Sequence, residues 1–177
     1  MQRITPVDPA LATGRVKEIF EGPLKGKASN LFKALGAAPA ALEGYVSLAH
    51  AVAHGTLSAR EREVIALAVG QANHCEYCLA AHTAIGRSVG LKDDQMLGAR
   101  RGAIVGDPKL HGLARFALAL HEKRGAVSND DVASFTRAGY TEAQMGEVIA
   151  CYSLDTLTNY FNKANQTVLD FPAAPAL

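Results

Sequence analysis

Apolar residues recur at three- and four-residue spacing along nearly the whole chain, and no segment alternates with the period of two that a half-buried strand requires. Val16, Ile19 and Phe20 form a first amphipathic stretch that ends at Gly22-Pro23. Ser29 opens a short helix through Leu31, Phe32 and Leu35, stopped near Gly36 and Pro39. Ala40 to His54 predicts another, closed by Gly55. Ser58-Ala59-Arg60-Glu61 has the form of a capping box, and the helix behind it (Val64, Ile65, Leu67, Ala68, Val69) is apolar on nearly every side, which predicts a central, buried position. Gly70 to His74 predicts a break. A new helix begins around Cys75 and runs to Gly90, followed by helices at about Asp93–Arg101, Lys109–Arg124, Asp130–Arg137 and Glu142–Leu169. The last opens on a second capping box, Thr141 with Gln144. The pattern predicts an all-α fold of about seven to nine helices, in one domain spanning 1–177, since no Pro-, Gly- or Ser-rich linker divides the chain.

Composition narrows the function classes. At 177 residues with 49% hydrophobic and 20% charged residues, the chain has room for a substantial core. The formal net charge is +1 with acids and bases interleaved, which argues against a nucleic-acid partner. The start, Met1 to Pro6, has no apolar core behind Arg3, and the longest apolar stretch is too short to span a bilayer. The expectation is a soluble, cytoplasmic protein with no membrane partner.

The three cysteines do not form a secreted disulfide framework. Cys151 sits in a helical pattern among Ile149, Ala150 and Leu154 and is expected to be a buried small hydrophobe. Cys75 and Cys78 differ: two cysteines three apart can close a small ring, and His82 follows one helical turn after Cys78. A helix start favours the thiolate, the reactive form of the thiol. Glu63, one turn before Leu67 on the upstream helix, can hold His82 if the chain turns back at Gly70–His74, and together they form a base with its orienting acid. The ordinary alternative for Glu63 is a solvated charge in the run Arg60-Glu61-Arg62-Glu63. The residues alone leave open which sulfur attacks, because Cys75 lies nearer the helix start and Cys78 nearer His82.

Glu63, Cys75, Cys78 and His82 stand in the pattern E-x11-C-x2-C-x3-H. With the segments 57–63, 73–83, Asn159-Tyr160-Phe161-Asn162 and Asp170-Phe171-Pro172 around them, the chain resembles the alkylhydroperoxidase D-like, peroxidase-related branch of the carboxymuconolactone decarboxylase superfamily. That resemblance, centred on the redox region 57–90, implies an all-helical homo-oligomer, trimeric or hexameric. It implies a peroxidase for hydrogen peroxide or organic hydroperoxides that needs no metal or cofactor, only an external thiol/disulfide electron donor. In the scheme it implies, Glu63 acts through His82 to deprotonate Cys78, Cys78 attacks the peroxide, and Cys75 resolves the sulfenic acid to a disulfide. The lactone decarboxylases of the superfamily generally lack the C-x-x-C. Where related hydroperoxidases have a histidine next to the second cysteine, this chain has Tyr77.

Three other readings compete. The same dithiol could pass electrons to a separate peroxidase as an adaptor. Cys75, Cys78 and His82 could hold zinc with His74, His54 or His50 as a fourth ligand, although the spacing lacks the usual distant second pair. A purely structural bundle is the last. Tyr45, Tyr152, Tyr160 and Phe161 are read as core or interface, and the long C-terminal helix as a candidate contact between copies.

Overall fold

The structure, a computed structural model, describes residues 2–177; Met1, the first residue of the N-terminal stretch considered above, lies outside them. Among the described residues there are nine α-helices and no strand. They are α1 (Gly14–Glu21), α2 (Asn30–Leu35), α3 (Pro39–Ala53), α4 (Ala59–Ala72), α5 (Glu76–Ser88), α6 (Asp93–Arg101), α7 (Pro108–Glu122), α8 (Asn129–Arg137) and α9 (Glu142–Asn165), with a 3-10 turn at Pro9–Leu11.

The helix ends follow local chemistry. At α4 the Ser58 Oγ accepts the Glu61 N–H, and the Glu61 carboxylate accepts the Ser58 N–H at 2.8 Å. Thr141 and Gln144 make the same reciprocal pair at α9. Ser128 and Asp131 make a third at α8. Two boundaries differ from expectation. Pro39, taken as a stop, is the first residue of α3, where its fixed φ suits helix entry and its missing N–H has no partner to lose. α9 ends at Asn165 rather than Leu169, because Gln166 turns left-handed at φ 54° without the Gly or Pro that announces such an end.

The break between α4 and α5 decides where the cysteines go. Asn73 caps α4, and His74 takes the left-handed conformation at φ 52°. The Cys75 N–H then bonds back to Gly70 O at 2.9 Å, and the His74 N–H to Gln71 O at 3.0 Å. This paired closure, usually made with glycine, turns the chain sharply enough to lay α5 against α4. Asn73 Nδ2 donates to Asn159 Oδ1, and Lys163 Nζ to Asn73 O at 2.7 Å, so α9 clamps the turn.

α4 is the central helix, as its all-round apolarity predicts. Val64, Ile65, Leu67, Ala68 and Val69 are fully buried, and α5, α6, α7 and α9 pack around them. The core has two parts. One gathers α4, α6, α7 and α8 around Leu113, Phe116 and Phe135. The other joins α1, α2 and α3 to Cys75, Tyr77 and Cys78 at the start of α5. The cysteines therefore lie along the seam between the two. Among the described residues, no helix is long and apolar enough to cross a membrane. On α9, Ile149, Leu157 and Tyr160 are exposed, whereas Tyr152 and Phe161 pack against the core.

Candidate functional site

Cys75 caps the N-terminus of α5, and its sulfur accepts the Cys78 N–H at 3.3 Å. The two sulfurs are joined as a disulfide, with Cα atoms 5.3 Å apart. Both residues are almost fully buried. Asn162 Nδ2, from α9, donates to Cys78 Sγ at 3.4 Å, while Asn162 Oδ1 is buried with no partner among the described residues.

One turn along α5 from Cys78, His82 Nδ1 meets Glu63 Oε2 at 2.8 Å. Glu63 is on α4, so the hairpin of α4 and α5 joins acid and imidazole as the sequence suggested. The solvated-charge reading of Glu63 fails: its side chain is 13% exposed and bonded to the ring. On the other side of the ring, Asp155 Oδ1 from α9 lies 3.9 Å from His82 Nε2. Sequence reasoning missed this second acid. A signal was present: Asp155, Thr158, Asn159 and Asn162 fall at helical spacing, a buried polar stripe on an otherwise apolar face.

His82, Glu63, Asp155 and Cys78 line one cavity of about 200 Å³. Its remaining wall is largely apolar, with Leu31, Val52, Ala66 and Leu154, and Tyr45 adds a phenol. Burial, with Asp155 and Glu63 nearby, holds that phenol protonated far above its ordinary value. Cys75 does not line this cavity; it faces a separate recess.

Charges in the cavity are strongly coupled. Burial disfavours the imidazolium, but the charge and hydrogen bond of Glu63, helped by Asp155, overcome it and raise the His82 pKa from 6.5 to about 9. Burial raises Asp155 from 3.8 to about 7; His82 opposes the shift and Glu63 adds to it. At neutral pH the ring therefore holds its proton, and Asp155 is harder to ionise than an ordinary carboxyl. Among the described residues, the side-chain hydrogen bond to the disulfide comes from Asn162 and not from His82. The free Cys151 is buried on the same wall, and burial followed by Asp155 pushes its thiol up to about 12, consistent with an inert hydrophobe.

Tyr77, between the cysteines, has a structural task. Its hydroxyl donates to Asp170 Oδ1 at 2.7 Å and accepts the Leu31 N–H at 3.2 Å, and its ring meets Phe171 edge-on. It pins the C-terminal segment and α2 to the start of α5. Among the described residues, no group of three or more His, Cys, Asp or Glu side chains is arranged to hold a metal ion. His50 and His54 meet at a tilt, with ring centroids 4.2 Å apart, at the exposed end of α3.

Comparison with known proteins agrees with the fold. Residues 39–120 match the model of the carboxymuconolactone decarboxylase family. No curated protein matches the chain. Among solved structures, the alkylhydroperoxidase AhpD core of an uncharacterized peroxidase-related protein from Ralstonia eutropha JMP134 superposes with a TM-score of 0.84 at 22% identity, covering 96% of this chain and 92% of that one. A peroxidase-related protein from Silicibacter sp. TM1040 gives 0.77 at 20% identity over 94% and 92%. A debrominase solved with 2,3,4-tribromopyrrole gives 0.79 at 15% identity over 96% and 92%. The chain thus carries a segment similar to the carboxymuconolactone decarboxylase family within an alkylhydroperoxidase D-like fold.

Proposed function

We propose that the protein is a thiol-dependent peroxidase that reduces small hydroperoxides through the Cys75/Cys78 pair. The observation that carries the reading is that Cys78, and not Cys75, shares a cavity with the Glu63–His82–Asp155 group. In the reduced protein the Cys78 thiolate is stabilised by the first turn of α5 and by Asn162 Nδ2. It attacks the outer oxygen of ROOH, the O–O bond breaks, and Cys78 becomes a sulfenic acid while alkoxide leaves.

The raised pKa of His82 changes the role expected for it. A ring that holds its proton up to about pH 9 is an acid toward the leaving alkoxide before it is a base toward the thiol. Glu63 orients the ring and holds the charge, and Asp155 is placed to return a proton to Nε2. Cys75 then attacks the sulfenic sulfur, water leaves, and the disulfide described above forms. Two thiols from an external donor restore the dithiol. The apolar wall favours organic hydroperoxides over hydrogen peroxide. The homo-oligomer implied by the family would use the exposed stripe Ile149, Leu157 and Tyr160 of α9.

Turnover of cumene hydroperoxide with dithiothreitol tests the assignment. Cys78→Ser is expected to lose at least ~100-fold in rate, a size consistent with removing the attacking nucleophile. Cys75→Ser is expected to oxidise once and stall as a sulfenic acid that dimedone labels. Parent-like turnover in both variants would overturn the proposal. Equal activity toward the hydroperoxide in neither protein, with fast reduction of a disulfide on a partner peroxidase, would favour the adaptor role.

A further inference from the structure

The two cysteines of the disulfide line different spaces. Cys78 lines the apolar cavity with His82. Cys75 lines a second recess of about 310 Å³, whose walls include His74, Glu76, Lys163, Gln166 and Thr167. Tyr77 and Asn162 border both spaces and divide them. The second recess is polar at its rim, where His74, Glu76, Lys163 and Gln166 are exposed. Cys75, which lines it, is a residue only 1% exposed.

We propose that a polar low-molecular-weight thiol enters this recess and reduces the disulfide by attacking Cys75 Sγ, through a different opening from the hydroperoxide. Two observations favour that sulfur. The N-terminal N–H groups of α5 and Lys163, whose Nζ is held on Asn73 O, set positive character beside it against the single carboxylate of Glu76, which favours an approaching thiolate. The leaving sulfur is then Cys78, which already accepts a hydrogen bond from Asn162 Nδ2, and a stabilised leaving thiolate speeds exchange.

The chemistry balances with two thiol equivalents. The first thiolate forms a bond to Cys75 Sγ as the Cys75–Cys78 bond breaks, releasing the Cys78 thiolate. The second attacks the donor's own sulfur in the mixed disulfide, releasing the Cys75 thiolate and an oxidised donor. The two electrons gained by the protein are the two lost by the thiols. The inference rests on the peroxidase reading only in naming the other cavity as the peroxide side.

The test uses the oxidised protein and glutathione, with no peroxide. Acid quenching at early times, alkylation of free thiols and peptide mass spectrometry locate the adduct. Glutathione on Cys75 is expected; glutathione on Cys78 overturns the proposal. Glu76→Trp, which narrows the recess, is expected to slow reduction by dithiothreitol at least ~10-fold while oxidation of the reduced variant by cumene hydroperoxide keeps the parent rate. Unchanged reduction in the folded variant also overturns the proposal. If the variant loses its helical circular dichroism, the adduct position in the parent decides. If the adduct sits on Cys75 but hydroperoxide never oxidises the dithiol, the recess assignment stands and the peroxidase reading falls.

Discussion

Glu63→Gln separates the charge of Glu63 from its shape. The amide can still accept the hydrogen bond from His82 Nδ1, so packing between α4 and α5 is preserved while the negative charge is lost. Opposite charges 2.8 Å apart attract by about 6 kcal/mol at an effective dielectric constant of ~20, and those 3.9 Å apart by about 4 kcal/mol. The rise of the His82 pKa from 6.5 to about 9 corresponds to only about 3 kcal/mol at ~1.4 kcal/mol per pH unit, so burial has consumed much of the attraction. Burial opposes the ionisation of Asp155, so it contributes less than its distance suggests. Removing Glu63 therefore takes away more than the net rise, although Asp155, freed of a like charge, ionises more readily and offsets part of the loss. The expected result is a fall of at least ~2 pH units in the His82 pKa. Imidazole carbon–proton correlation spectra from pH 5 to 10, assigned with His82→Asn, measure it directly. A His82 pKa that stays above ~8 in Glu63→Gln would refute the view that this carboxylate holds the proton on the ring. The alkaline limb of the pH–rate profile for peroxide reduction should move down by the same interval.

Asn162→Ala removes a donor to Cys78 Sγ; in reduced protein carrying Cys151→Ser, the lower thiolate pKa followed at 240 nm should rise by about 1–2 pH units, the worth of a hydrogen bond to a charged group. Tyr77→Phe breaks the bond to Asp170 and strands the Leu31 N–H, so urea denaturation should show a loss of about 1–3 kcal/mol, and a loss below ~0.5 kcal/mol would contradict its anchoring task. Stability should fall toward alkaline pH for two reasons: the support from His82 is complete below 6.5 and lost as pH rises through about 9, and the penalty for ionising buried Asp155 develops between 3.8 and about 7. In Asp155→Asn the second slope should disappear from the urea midpoints measured between pH 4 and 7.

Much of this was legible in the chain because the signals were local. The capping boxes at Ser58 and Thr141, the all-apolar α4 and the i, i+4 relation of Cys78 to His82 each depend on neighbours within a turn. Glu63 became legible once a reversal at Gly70–His74 was assumed, and the left-handed His74 provides that reversal. Asp155 and Asn162 were not assigned, since their roles depend on how α9 lies across α4 and α5, which no local pattern encodes. The end of α9 at Gln166 was missed for the opposite reason: a left-handed Gln carries no sequence mark. The division of the two sulfurs between separate spaces is likewise tertiary, set by Tyr77 and Asn162.

The most direct measurement adds one equivalent of cumene hydroperoxide to fully reduced protein and counts thiols and cumyl alcohol together. The chain has three cysteines, and Cys151 is the one outside the pair. The account predicts that two thiols per chain disappear within one turnover, one cumyl alcohol forms, and the remaining thiol maps to Cys151. Retention of all three thiols beside unconsumed hydroperoxide, or loss of the Cys151 thiol with the pair intact, would contradict it.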